Sequence, residues 1–318
     1  MQEMTHRHTK ELDIFYREHR EACTNCGKEF HNGMCAHVGY VRGNNPAVLC
    51  DDCAEEMTET VVRYHWMEQE YESPNGNSSL WRYMDLAKFI QLIASKTLFF
   101  APADSFDDPF EGAKGIVSRK GEWDDFYIDF FRKAIATVPE GDAKNLTKDE
   151  IEVNAKRLLS ELNMSGEYDR KHMFISCWHE NEFESEAMWK LYSANYRNAV
   201  AVKTTAAHLY EALGKDPRID IGRVNYIDFN KRFSSINGPY WYKRKSFEYE
   251  REVRAVMKIS SSDSNTNSVP VDIEKLIDQV YISPYAPLWF EDVVTSVMLR
   301  YDVNKPVFHS TMNDQPFY

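Results

Sequence analysis

The spacing of apolar residues changes period several times along this chain. Leu80 to Met84 is a short run that reads as strand, and Asp85 can cap a helix from Leu86 to Ser95. In that helix Leu86, Phe89, Ile90 and Ile93 recur at helical spacing. Thr97 to Phe100 is a short apolar strand, and Asp104 to Phe110 a loop. An amphipathic helical region follows over roughly 122–163, broken at Pro139-Glu140-Gly141. Met173–Cys177, Ala199–Lys203, Gly222–Ile227 and Val280–Ser283 read as strands, with Ser260–Ser268 a polar loop. Ser185–Ser193 and Leu288–Leu299 read as helices. Several strands follow one another without a helix between them, which favours an α+β fold with a mixed sheet.

One more strand is predicted by an unusual run. Glu248, Glu250 and Glu252 alternate ahead of Val253, Ala255, Val256, Met257 and Ile259. In a strand the three glutamates share one face, successive ones roughly 6.5–7 Å apart. Like charges on one face repel, and strands disfavour Glu. Such a row implies a use, or cations to balance it. Arg251, Arg254 and Lys243-Arg244-Lys245 are the cations at hand.

Ahead of Leu80 the pattern is set by cysteine. Cys23-Thr24-Asn25-Cys26 and Cys50-Asp51-Asp52-Cys53 form two C-x2-C pairs separated by 23 residues. Two such turns offer four thiolates, the donor set of a structural zinc site. Gly27 suits the sharp turn after the first pair. A predicted helix from Ala54 to Glu70 opens at the second pair, an order that resembles a treble-clef zinc finger. Cys35 and His37 between the pairs are spare ligands. With few basic neighbours beyond Lys28 and Arg42, docking is favoured over DNA reading. Ser73 to Ser79 is rich in breakers and reads as a linker. The expected organisation is a zinc-finger module with flanking helices over 1–72, a linker at 73–79, and a second domain over 80–318.

The chain has 318 residues, 43% hydrophobic and 14% aromatic, enough for a substantial core. Its net charge of −12 argues against nonspecific nucleic-acid or membrane binding by the whole surface. No apolar run approaches the roughly 20 residues that span a bilayer, and the N-terminus lacks an apolar signal core. A cytoplasmic protein with reduced cysteines and no membrane partner is expected. Between Arg218 and Arg254 basic residues outnumber acidic ones. Within that stretch Tyr240-Trp241-Tyr242-Lys243-Arg244-Lys245 would suit stacking on a nucleotide base beside a phosphate, or form a packed strand end. The sequence holds no GxGxxG and no GxxxxGK[ST].

Four spaced motifs carry a family resemblance. They are Phe106-Asp107-Asp108-Pro109-Phe110, Phe174-Ile175-Ser176-Cys177-Trp178-His179, Glu184 to Tyr192 with its Met188-Trp189, and Tyr249-Glu250-Arg251-Glu252-Val253-Arg254. Together they resemble a bacterial domain-of-unknown-function family over about residues 80 to 300, with Asp107 where that family has Asn. The order of strands also looks like the ADP-ribosyltransferase superfamily. That resemblance implies a cleft for NAD as substrate. It implies that Arg82 holds the dinucleotide, that Ser176 shapes the nicotinamide pocket, and that Glu252 is catalytic with Glu250 activating the acceptor. Tyr83, Trp178, His179, Trp189 and Tyr192 become candidates for contacts with the dinucleotide, although Trp178, Met188, Trp189 and Tyr192 also fit a core-facing strand and helix. The acceptor would be nucleic acid or protein. The biological setting would be a toxin or anti-phage effector, restrained by a cognate antitoxin or inhibitor. Two other readings stay open: a non-catalytic nucleotide- or nucleic-acid-binding module with a docking finger, and a metal-dependent nuclease using Asp107, Asp108 and the glutamate row.

Overall fold

The computed structural model describes residues 19, 21–30, 36–41, 45–56, 61–67, 71–136, 146–193, 196–216, 218–236, 238–259 and 267–318. The breaker at Pro139-Glu140-Gly141, residues 260–266 of the polar loop, and Cys35 lie outside them.

In the N-terminal region β1 (Ala36–Val41) pairs antiparallel with both β2 (Asn45–Leu49) and β3 (Val61–Met67). Helix α1 (Asp51–Glu56) is short. The helix expected from Ala54 to Glu70 is therefore wrong over Val61–Met67, which is strand, while 57–60 and 68–70 lie outside the described residues. Val61, Val62, Tyr64 and Trp66 are β-branched or aromatic, residues that favour a pleated strand, and β1 offers an edge to pair with.

The remaining elements run β4 (Ser79–Asp85), α2 (Leu86–Ser95), β5 (Thr97–Phe99), β6 (Ala101–Pro102), α3 (Lys120–Ala136), α4 (Lys148–His172), β7 (Met173–Glu180) and α5 (Glu186–Leu191). They continue with β8 (Ala199–Thr205), α6 (Ala206–Ala212), β9 (Ile219–Arg223), β10 (Asn225–Ile227), β11 (Tyr242–Arg244), β12 (Glu252–Lys258), β13 (Ser268–Pro270), α7 (Ile273–Leu276), β14 (Gln279–Ile282), α8 (Phe290–Arg300) and β15 (Val307–His309). Among the described residues the largest sheet has eight strands, ordered β15-β14-β8-β4-β7-β12-β9 with β6 added to β7. Its pairings are antiparallel except β14 with β15, so the fold is α+β with a mixed sheet.

Local signals explain most boundaries. Asp85 accepts the Lys88 N–H at 2.9 Å and starts α2, as its position predicts. Thr147 and Glu150 form a capping box that starts α4, which runs on to His172. The main core packs α2, α6, α7 and α8 on one face of the sheet through residues such as Phe89, Leu209, Leu276 and Phe290. A smaller cluster, Trp81, Tyr83, Met188 and Trp189, packs α5 on the other face.

The glutamate run departs from expectation. Lys245–Glu250 is a 3-10 turn, Arg251 adopts a left-handed conformation (φ 41°), and β12 begins only at Glu252. Glu248 is left exposed, so the three glutamates do not share a strand face. The turn lets one charge reach solvent and the other two reach cations. Those pairings offset a left-handed non-glycine residue, which costs about 1–2 kcal/mol.

Tyr71 and Glu72, at the end of the predicted N-terminal module, are tied to the sheet. The Tyr71 hydroxyl donates to Asp220 at 2.8 Å, its ring lies 4.3 Å from that of Trp241, and the Arg223 N–H donates to the Glu72 carbonyl at 2.8 Å. Gly222 lies under the Tyr71 ring, where a Cβ would overlap it. Gly222→Ala should therefore lower stability by about 1–3 kcal/mol. Removing the ring in Gly222→Ala/Tyr71→Ser should make the paired cost smaller than the sum of the single ones. Denaturant titration checks both, and additive costs would show that the overlap is relieved elsewhere.

Candidate active site

The site follows from how the sheet divides. β4 pairs with β8 along seven residues, and β7 pairs with β12 along seven, but β4 and β7 meet only at Leu80–Glu180 and Trp81–His179. Beyond these pairs the two halves of the sheet part, and β6 takes the freed edge of β7 at Ile175 and Phe174. A cavity of about 460 Å³ is lined by residues of both halves. Arg82 and Tyr83 come from β4, Cys177, Trp178 and His179 from β7, and Glu250 and Glu252 from the start of β12. Tyr192, just after α5, lines it as well.

The two carboxylates are held by buried cations. Arg254 is fully buried and forks between Glu111, at 2.6 and 2.8 Å, and Glu252, at 2.7 and 3.2 Å. Lys243 bonds Glu250 and also reaches Glu252 at 3.2 Å. The Cys177 thiol lies beside Glu252 and the Tyr192 hydroxyl beside Glu250. Burial pushes the Glu252 carboxyl up, but Arg254 and Lys243 outweigh it and hold the group down at about 2. At Glu250 burial wins over Lys243, and the carboxyl stands above its ordinary value. Adjacent glutamates are thus set apart: one is a fixed anion, the other a stronger base.

On the other wall Arg82 donates to the Ser176 hydroxyl and, at 3.2 Å, to the Phe99 carbonyl. Its guanidinium lies 5.5 Å from the Trp178 ring centroid. Among the described residues no carboxylate pairs with it, and burial lowers it to about 10. Ser176 is buried behind Arg82 and does not line the cavity. His179 is 5% exposed; its Nδ1–H donates to the Glu250 carbonyl at 2.6 Å, which leaves Nε2 a buried acceptor with no partner among the described residues. Burial holds the ring below its ordinary pKa and therefore neutral. Tyr83 lines the cavity while its hydroxyl accepts the Ser185 N–H at 2.8 Å. Trp189 lies in the core beneath it, and its indole N–H donates to Glu184 at 3.0 Å. Of the residues singled out from sequence, Arg82, Tyr83, Trp178, His179, Tyr192, Glu250 and Glu252 meet in this space, while Ser176 and Trp189 support it from behind.

Sequence reading did not assign Glu111 or Cys177 a role, and it gave Lys243 two. Glu111 directly follows the Phe106–Phe110 motif, its only local signal. Tyr240 and Trp241 are buried in a core cluster and Lys243 is buried among carboxylates, so this run does not present rings for stacking on a base. Asp108 pairs with Arg244 at 2.7 Å.

Among the described residues one group of three or more metal-ligating side chains comes together. It is Cys23, Cys26, Cys50 and Cys53, whose sulfurs all lie within 4.8 Å of one another. Cys26 Sγ is 3.7 Å from Cys50 Sγ. Tetrahedral zinc–sulfur bonds of about 2.3 Å put sulfurs roughly 3.8 Å apart, so the cage fits such a metal. Asn25 donates to Cys53 at 3.4 Å. His37 bonds Asp51 at 2.8 Å and is not one of the four. Among the described residues no helix is long and apolar enough to cross a membrane.

No family model matches the chain, and no curated protein matches it in sequence. Two solved structures match. Thermus sp. 2.9 DarT in complex with NAD+ does so at 8% identity, over 76% of this chain and 98% of that one, with a TM-score of 0.35. Thermus sp. 2.9 DarT in complex with ADP-ribosylated ssDNA does so at 10% identity, over 76% and 97%, with a TM-score of 0.34. Likeness at these TM-scores carries no inference about this chain.

Glu111→Gln leaves the buried Arg254 short of a counter-charge. It should cost about 3–5 kcal/mol of stability, read as a shift of the urea midpoint. The double variant Glu111→Gln/Arg254→Met should lose less than the sum of the singles; an additive result would mean that the pair is uncoupled.

Proposed function

We propose that this chain transfers ADP-ribose from NAD to a nucleic-acid or protein acceptor. One observation carries the reading: an arginine without a carboxylate partner among the described residues and two differently poised glutamates open into one aromatic-walled cavity. The cavity falls in the size range of ligand pockets. The motif order noted in the sequence supports the same reading.

Each group has a chemical task. Arg82, oriented by Ser176, can bind the pyrophosphate with two parallel hydrogen bonds, because guanidinium stays charged even when buried. Tyr83, Trp178 and Tyr192 offer ring surfaces to nicotinamide. The His179 Nε2 lone pair can accept from a ribose hydroxyl or the carboxamide. As the nicotinamide–ribose bond breaks, its electron pair leaves with nicotinamide and the ribose carbon gains oxocarbenium-like charge. Glu252, fixed as an anion, stabilises that charge. The acceptor's nucleophile bonds to the same carbon, and Glu250 takes its proton. The 3-10 turn and Arg251 let both carboxylates face one space.

A second reading is a nucleotide-binding module without turnover. It draws on the engagement of Glu252 by Arg254, Lys243 and Cys177. The four cysteines are read as a structural, treble-clef-like zinc site, since four thiolates leave no open position for water. Its role is docking. An enzyme that consumes NAD needs restraint in a cell, which fits a toxin or defence effector held by a cognate inhibitor.

Purified protein incubated with NAD and cell lysate, RNA or DNA should release nicotinamide. Glu252→Gln should slow release by roughly 10²–10³-fold while NAD still binds. Binding with no release from wild type under any acceptor would establish the non-catalytic reading instead. The rate should fall as pH drops through the raised pKa of Glu250, because the base must be ionised, while Glu252 stays charged down to about 2. Glu250→Gln should remove that acid limb. Elemental analysis should find about one zinc per chain, lost in Cys50→Ser with melting of the N-terminal region. Full zinc content in that variant would place the metal elsewhere.

A further inference from the structure

A second cavity, of about 250 Å³, shares no lining residue with the first. It lies between the loop 112–117, the helices α3 and α4, and Phe233. Its lining includes three cations, Lys114, Lys120 and Arg170, one carboxylate, Glu167, and the rings of Trp123 and Phe233. Lys114 donates to the Leu162 carbonyl at 2.5 Å, which leaves further ammonium protons, and Arg170 keeps its Nε buried with no partner among the described residues. Among the described residues neither Lys114 nor Arg170 has a carboxylate at ion-pair distance. Lys120 is paired with Asp124 at 2.6 Å, and Asp169 with Lys258 at 2.7 Å. Trp123 and Phe233 pack edge to face at 5.3 Å.

This combination is costly unless something fills it. Two like charges on one wall repel, and burial already lowers Lys114. A buried guanidinium N–H without an acceptor forfeits a hydrogen bond. Glycine keeps the space open. A Cβ on Gly115 would stand 2.5 Å from the Phe233 ring, and one on Gly166 of α4 would stand 3.6 Å from Lys114 Nζ.

We propose that this cavity binds a small anion carrying a flat ring, of the class of mononucleotides and aromatic carboxylates, with Lys114 and Arg170 on its charge and Trp123 and Phe233 on its ring. Guanidinium and ammonium donors suit phosphate or carboxylate oxygens, and the rings supply the apolar contact. The volume is about half that of the first cavity, which fits one ring system with its anion and not a dinucleotide.

Calorimetric titration of the full chain tests this with three probes: AMP, 4-hydroxybenzoate and inorganic phosphate. At least one ring-bearing probe should bind with a dissociation constant of about 1 mM or tighter, and more tightly than phosphate. Lys114→Met and Arg170→Met should each weaken it roughly tenfold or more, and Lys114→Arg should retain it. Gly166→Leu, which fills the cavity from a helix that tolerates leucine well, should abolish binding while the far-ultraviolet dichroism stays unchanged. Arg82→Met should leave binding intact. AMP binding lost in Arg82→Met but kept in Arg170→Met would assign it to the first cavity and overturn the proposal. Phosphate binding as tightly as either ring probe, or no binding of either ring probe, would overturn it too.

Discussion

The candidate site depends on one buried ionic chain, Glu111–Arg254–Glu252–Lys243–Glu250. Three carboxylates and two cations are taken out of water together. Each removal is costly, and only mutual pairing with good geometry offsets it. The chain therefore fixes more than charge. It joins the loop after Asp108 to β12, β12 to β11, and β11 to the turn before Arg251. Where the carboxylates sit, and in which direction each is shifted from its ordinary pKa, follows from burial and from the cations each one meets.

The second constraint is the parting of the sheet. Two strands that pair for two residues and then separate leave a wedge with a backbone wall on each side. Side chains from both walls reach it, and polar groups in it are only partly satisfied. The Arg82 guanidinium, without a carboxylate partner among the described residues, and the His179 Nε2, without a hydrogen-bond partner among them, both lie there. Elsewhere the sheet is closed by ordinary packing, and its buried residues are almost all apolar.

The N-terminal region is built on a different principle. Its small cluster consists of Cys23, Ala47, Leu49, Cys50, Cys53 and Ala54, with Phe30 against it. Half of those six buried residues are cysteines that also form the cage, so apolar burial alone gives it little support. A metal held by the four thiolates would supply what the core lacks. Tyr71 and Glu72 then tie the end of this region to the sheet through Asp220, Trp241 and Arg223.

Much of this was legible in the sequence, for local reasons. Paired C-x2-C turns bring thiolates together by chain geometry alone, and the cap at Asp85 acts within one helical turn. Arg82 and the Glu250–Glu252 pair stood out because charged residues in apolar strands are costly without a partner or a ligand. Tertiary structure decided the rest. The alternation of Glu248, Glu250 and Glu252 predicted one strand face, but burial of Glu250 and Glu252 against Lys243 and Arg254 drew the chain into a turn, since pairing a buried charge outweighs strand periodicity. Val61–Met67 became a strand because β1 offered an edge. Trp178 and Trp189 look alike in sequence, and only the wedge between β4 and β7 makes one a cavity wall and the other core. Glu111 is 143 residues from Arg254, and no periodicity reaches that far; only packing could show that the loop carboxylate belongs to the site.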